Sequence, residues 1–273
     1  MQVAQLFVVP ADAAGMVPAA AGGVVTAAPG AVVPAAGAPA PLRIDAPANP
    51  DAPPAAVSLK AAGFDMVLAP YADVADPGTP LAGELFSTDP ATVTRQAGAI
   101  VADYLRAGLI PAVGHFPGQG SASADPDETT ATVGGSLAAL QARDLVPFSA
   151  LARTAPVIVM SNAIYTAFDG VTPAALLPQA VALLRDRYGF GGVVMSDDLD
   201  ADLNPTGLDA GAIAVAALRA GEDLLYITGS ASERQSAYAA VLAAVQRSPA
   251  LQHRLRVAVL RDLTLKDRFG LLG

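Results

Sequence analysis

The chain has 273 residues, 53% of them hydrophobic and only 5% aromatic, with no cysteine, no tryptophan and a formal net charge of −9. That length suits one large α/β barrel or two small domains, and so apolar a chain is not wholly disordered. An acidic sequence whose only lysines are Lys60 and Lys266 has no basic run to hold nucleic acid or an anionic membrane surface, and the lack of cysteine excludes disulfides, thiolate zinc sites and iron–sulfur clusters.

The N-terminal run Met1-Gln2-Val3-Ala4-Gln5-Leu6 has no basic residue, and Pro10 and Asp12 soon interrupt it. No signal peptide is expected there, and the cytoplasm is the default location. Between Val3 and Leu42 the prolines at 10, 18, 29, 34, 39 and 41 prevent the run of about 18 apolar residues that a membrane helix needs.

Eight short β-rich runs follow one another: Gln5–Val9, Gly23–Thr26, Leu42–Asp45, Met66–Pro70, Ile110–His115, Val157–Ser161, Gly192–Ser196 and Asp223–Thr228. Helical patterns separate most of them, the signature of a parallel α/β fold. Asp89-Pro90 reads as an N-cap and first-turn proline, opening a helix to about Arg106. Further helices are expected over Ser136–Arg143, Ala174–Tyr188, Ala210–Ala220, Ala231–Arg247 and Leu251–Arg268. The first three strands are joined by about a dozen residues each, so helices there must be short or absent. Ala27–Ala56 is Ala/Pro low-complexity sequence and reads as loop or extended connection. The expectation is a single (β/α)₈ barrel domain over 1–273, thinned on its N-terminal side. An exposed apolar flank around Ala27–Pro54 would mark a homodimer or partner surface.

Barrel chemistry gathers at the C-terminal ends of strands. Those positions hold Asp45, Asp73, His115, Ser161 with Asn162, Asp197 with Asp198, and Thr228. The buried run Gly191–Met195 ends abruptly in Ser196-Asp197-Asp198. Asp197 is expected to be functional there, and Asp198 to cap or hydrogen-bond. His115 opens the loop His115-Phe116-Pro117-Gly118-Gln119-Gly120, whose proline and glycines suit close ligand approach. His253 sits among arginines on the last helix and reads as surface. The small-residue stretch Ser121–Glu128 carries Asp125, Asp127 and Glu128. It reads either as a mobile surface loop or as one whose acid orders over the mouth to face Asp197. No dinucleotide fingerprint, P-loop, zincin or serine-hydrolase motif is present. With two histidines and no cysteine, a His-rich metal site is not expected.

At Gly189–Leu199 the sequence resembles the nucleophile segment of glycoside hydrolase family 3, in its β-N-acetylhexosaminidase branch. His115–Gly120 is similar to that family's Lys-His-Phe-Pro-Gly-His-Gly, Leu68–Val74 to its Ala-Pro-Val-Ala-Asp-Val, and Phe86–Pro90 to its Phe-Gly-Ser-Asp-Pro; Gln5–Val9 matches its first strand. The resemblance implies a (β/α)₈ barrel that removes terminal β-linked sugars through a covalent glycosyl–aspartate on Asp197, with no cofactor or metal. Several family positions are changed here. Gly114 stands for the Lys before the His, Glu84 for an Arg, Gln119 for the loop's second His, and Asn162 for a His on the sixth strand. Asp125-Pro126-Asp127 replaces the loop that carries the acid/base His. Of the family's Asp-Gln-Glu-Gly-Gly-Arg, only the Asp remains, as Asp45. Two readings stay open. In one, Asp127 or Glu128 is the new acid/base, with His115, Asp45 and Asn162 binding a carbohydrate substrate. In the other, the barrel is a catalytically degenerate paralogue that binds a sugar or a partner.

Overall fold

The computed structural model describes residues 2–10, 22–25, 42–47 and 54–272. Eight parallel strands close into a barrel: β1 Phe7–Pro10, β2 Gly23–Val25, β3 Leu42–Asp45, β4 Met66–Val67, β5 Ile110–Phe116, β7 Val157–Met160, β9 Val193–Asp198 and β10 Leu224–Tyr226. They follow one another around the barrel in chain order, and β10 returns to pair with β1. A parallel two-stranded ribbon, β6 Thr132–Val133 with β8 Ile164–Tyr165, stands apart from it.

The side-chain period of two divides each strand between two cores. Ile44, Met66, Ala112, Val159, Met195 and Leu224 pack together inside the barrel. Their neighbours Val113, Ile158, Met160, Val194 and Leu225 face outward against the helices. Small β-branched and aliphatic residues fill the interior in layers, which is why a chain so poor in aromatic residues can close a barrel.

Helix α2, Pro90–Arg106, begins where the sequence predicts: Asp89 accepts from the backbone N–H of Ala91 and Thr92, and Pro90 takes the first position. It buries Val93, Ala97, Val101 and Tyr104, one stripe at helical spacing. Helix α8, Ala231–Arg247, opens on a Ser230/Glu233 capping box. The expected helix over 174–188 is instead three pieces: a 3₁₀ turn Ala174–Leu176, a short helix α5 Pro178–Ala182 and a π segment Leu183–Arg187. Pro178 forces Leu177 before it into an extended conformation, and that ends the first turn. Three helices were not expected: α1, Ala56–Ala62, α4, Leu145–Leu151, and a single turn α6, Leu203–Thr206. At seven residues α1 fits the thinning of the N-terminal side. The connections 11–21 and 26–41, and with them most of the Ala27–Pro54 flank, lie outside the described residues. Among the described residues no helix is long and apolar enough to cross a membrane.

The last helix, α9 Pro249–Arg268, is pinned by a buried cation. Lys266 is fully buried, 2.9 Å from Asp262 Oδ2 and 3.2 Å from Gln5 Oε1. It joins α9 to the 3₁₀ segment Gln2–Leu6 that enters the barrel. Removing one member of such a pair strands the other charge. Lys266→Ala is therefore expected to cost about 3–5 kcal/mol in urea unfolding, with Lys266→Met/Asp262→Leu regaining most of it. A loss below about 1 kcal/mol for the single variant would contradict this account.

Candidate active site

Strand parity aims Asp197 into the barrel. In β9, Val193 and Met195 belong to the inner core, so Asp197 is the next inward residue and Asp198 turns away. The same parity carries Tyr226 inward after Leu224. Asp197 is about nine-tenths buried; its Oδ1 accepts the Asp198 N–H at 2.9 Å, and its Oδ2 makes no hydrogen bond. Asp198 does what the sequence suggests: it accepts from the N–H groups of Asp200 and Thr228 and from the Thr228 hydroxyl, joining the ends of β9 and β10.

The neighbouring loop centres on Asp73, which is fully buried. Its carboxylate accepts from the backbone N–H of His115 (3.1 Å) and of Gln119 (2.7 Å) and faces His115 Nδ1 at 3.0 Å. His115 Nε2 lies 3.5 Å from Asp197 Oδ2. The Tyr71 ring packs edge-on to the imidazole, with centroids 4.3 Å apart. Ser161 donates to Gln119 Oε1 at 2.7 Å, so Gln119 and Ser161 brace the loop from beneath. Gly120 is required by packing, because a Cβ there would meet the Val74 carbonyl oxygen at 2.1 Å. Burial opposes charge on His115, but the carboxylates of Asp197 and Asp73 outweigh it and raise the imidazole to about 9. At neutral pH His115 is thus a cation held between two carboxylates.

The acidic loop reaches the same place. Asp125 accepts the Asp127 N–H at 3.0 Å, and its carbonyl accepts from Glu128 and Thr129, a tight turn that projects Asp127. The β6–β8 ribbon ties down the exit of that loop. Asp127, Asp197, Asp198, Tyr71, Tyr226 and Pro47 line one cavity of about 200 Å³ at the barrel mouth. Beneath it, a smaller space of about 30 Å³ runs from His115 to Met195. Asp127 faces solvent within the crater, and burial there still raises its carboxyl, with His115 opposing and other carboxylates adding. Burial and then Asp127 push Asp197 up to about 8, against the pull of His115. Two carboxyls on one wall titrate as a unit and hold a shared proton. His115 and the Asp198 N–H stabilise the anion at Asp197, whereas among the described residues nothing donates to the Asp127 carboxyl.

Other residues expected from the sequence divide clearly. Glu128 is exposed and does not line the cavity, because the turn that directs Asp127 inward leaves its neighbour outside. Asp45 ends β3 half-buried; its Oδ2 is buried without a donor, and burial raises its carboxyl. Asn162 donates to the Asp198 carbonyl at 2.8 Å, leaving its own Oδ1 buried and unpaired. Glu84 is exposed at the end of a 3₁₀ turn, away from the cavity, and His253 is exposed on α9. Three residues escaped the sequence reading: Tyr71, Tyr226 and Asp202. Asp202 is fully buried, neither of its oxygens has a partner, and burial followed by Asp197, Asp198 and Asp127 drives its carboxyl far up. Among the described residues no group of three or more His, Asp or Glu side chains is disposed to hold a metal ion.

Comparison with known proteins gives this arrangement a family. The model of the glycosyl hydrolase family 3 N-terminal domain matches residues 20–265. A β-hexosaminidase of Methylococcus capsulatus is 34% identical over 222 residues, covering 80% of this chain and 65% of its own length. A family 3 β-N-acetylglucosaminidase from a Paenibacillus species superposes with a TM-score of 0.86 at 25% identity, over 99% of this chain and 62% of that one. A β-N-acetylhexosaminidase of Beutenbergia cavernae shares the fold, with a TM-score of 0.85 at 24% identity and 97% of each chain covered. The chain spans about two thirds or less of the length of the Methylococcus and Paenibacillus proteins. With a closed parallel barrel, an inward aspartate at the end of its seventh barrel strand and a family model covering most of its length, the chain belongs to glycosyl hydrolase family 3.

Proposed function

We propose that this chain is a retaining glycosidase that removes terminal β-linked hexosamine-type sugars. Asp197 attacks the anomeric carbon while Asp127 gives its proton to the leaving oxygen, and a glycosyl–aspartate ester forms. Asp127, now a carboxylate, takes a proton from water, which cleaves the ester and regenerates Asp197 with net retention. The observation that carries this reading is the meeting of Asp127 and Asp197 on one small cavity, where burial and neighbouring carboxylates raise both carboxyls.

His115 has both ring nitrogens turned to carboxylates, so its part is to hold Asp197 ionised and aimed. Asp45 Oδ2 and Asn162 Oδ1, each buried without a donor, are the proposed acceptors for sugar hydroxyls. Tyr71 and Tyr226 give the sugar ring apolar faces to lie against. Glu128 is given no catalytic part. The relatives' names, β-hexosaminidase and β-N-acetylglucosaminidase, support the sugar class.

The test is turnover of a panel of aryl β-glycosides with product anomers followed by NMR. At least one hexosaminide is expected to be cleaved, with the β-anomer formed first. A folded protein that cleaves none would instead be the degenerate sugar-binding paralogue.

A further inference from the structure

Among the described residues, the cavity in front of Asp197 has no basic side chain in its wall, and its neutral side-chain donors are the Tyr71 and Tyr226 hydroxyls. Asp127, Asp197 and Asp198 line it, and neither it nor the smaller space beneath has a lysine or arginine in its wall. Asp197 lines the cavity, and its buried Oδ2 accepts no hydrogen bond, with His115 Nε2 3.5 Å away. Behind it, the fully buried Asp202 has no partner for either oxygen, and Asn162 Oδ1 is likewise unpaired. Among the described residues, the cation nearest Asp197 is His115, which is already shared between Asp73 and Asp197. At the positions where the family resemblance expects basic residues stand Gly114, in the wall of the lower space, and Glu84, on the surface.

Unpaired acceptors in a half-enclosed site are costly, and carboxylates crowded there repel one another. A neutral acetamide would add a carbonyl, another acceptor, to this wall. An ammonium group would bring three donors and a positive charge. A cavity of about 200 Å³ is below the usual range for drug-sized ligands and suits a single sugar ring. On that ring, C2 adjoins the anomeric carbon that Asp197 attacks, so a substituent there falls among these carboxylates.

We propose that the preferred substrate carries a free ammonium at C2, a β-linked glucosamine-type residue, in place of the N-acetylated or 2-hydroxyl sugar. This inference rests on the retaining-glycosidase reading for turnover but makes a separate claim about binding.

Three aryl β-glycosides that share a leaving group and differ only at C2, with amino, acetamido or hydroxyl substituents, test it with the wild-type chain. The amino sugar is expected to have kcat/KM about tenfold or more above the other two at low ionic strength. That advantage shrinks as salt is raised toward about 0.5 M, because the attraction is Coulombic and partly screened. In calorimetry, free glucosamine is expected to bind about tenfold more tightly than N-acetylglucosamine or glucose. A preference for the acetamido or hydroxyl sugar, or an amino preference indifferent to salt, overturns the proposal and leaves the glycosidase reading standing. Selective glucosamine binding with none of the three cleaved would overturn the glycosidase reading and keep the charge preference. Neither binding nor turnover overturns both.

Discussion

Asp197→Asn is expected to lower kcat/KM by about 10⁴-fold or more on any glycoside the wild type cleaves, because the amide cannot act as the attacking carboxylate. The substitution keeps the shape of the side chain, and the amide can still accept from the Asp198 N–H. It should fold, and its stability should report on the charge it removes. Burial and the neighbouring Asp127 push Asp197 up to about 8 in the folded chain, whereas an unfolded aspartate loses its proton near the ordinary value of about 4. A carboxyl raised on folding stabilises the native state fully below the unfolded value and loses that contribution as pH rises through the folded one. Wild-type stability should therefore fall between about pH 4 and pH 8 by on the order of a few kcal/mol from this pair, and Asp197→Asn should flatten that slope. Urea unfolding across that pH range checks it. A variant with near-wild-type turnover would remove Asp197 from the chemistry.

Asp127→Asn has the second largest expected effect, a loss of about 10²–10⁴-fold on substrates with poor leaving groups. Activated aryl leaving groups need less protonation, so the deficit there should be smaller, and added azide should restore turnover by attacking the glycosyl–enzyme without base assistance. The pH profile separates this from a merely structural defect. Asp127 is one of the causes that raise Asp197, so its neutralisation should move the acidic limb of kcat/KM to lower pH. The basic limb, which reports loss of the proton on Asp127, should disappear. Glu128→Gln, outside the cavity, should leave both limbs in place. Equal losses on all leaving groups, with an unshifted profile, would contradict the acid/base assignment.

The barrel was legible in the sequence because its strands are written as short apolar runs with period-two contents. Val193, Met195 and Asp197 fall on one face by counting alone, which makes Asp197 readable from one strand. The α2 and α8 boundaries were readable because Asp89-Pro90 and Ser230/Glu233 are local capping chemistry. What could not be read depends on long-range geometry. The π segment at Leu183–Arg187 has no local signature; Arg185 there reaches the buried Asp223 and the carbonyls of Phe190 and Gly192. Asp127 and Glu128 were equivalent as letters, and only the turn set by Asp125 distinguishes them. Tyr226 could have been found by extending the parity of β10, and Tyr71 by its place beside Pro70 at a strand end. Asp202 carried no signal, since its burial is fixed by the fold of the loop after β9.

The proposed mechanism requires an anion at Asp197, balanced by His115, and an acid at Asp127. The measurement that tests it most directly is the mass of the protein after reaction with a fluorinated aryl β-hexosaminide that slows hydrolysis of the ester. The account predicts one added sugar, located by peptide mapping on Asp197 and absent in Asp197→Asn. An adduct on any other residue, or cleavage with inversion and no adduct, would contradict it.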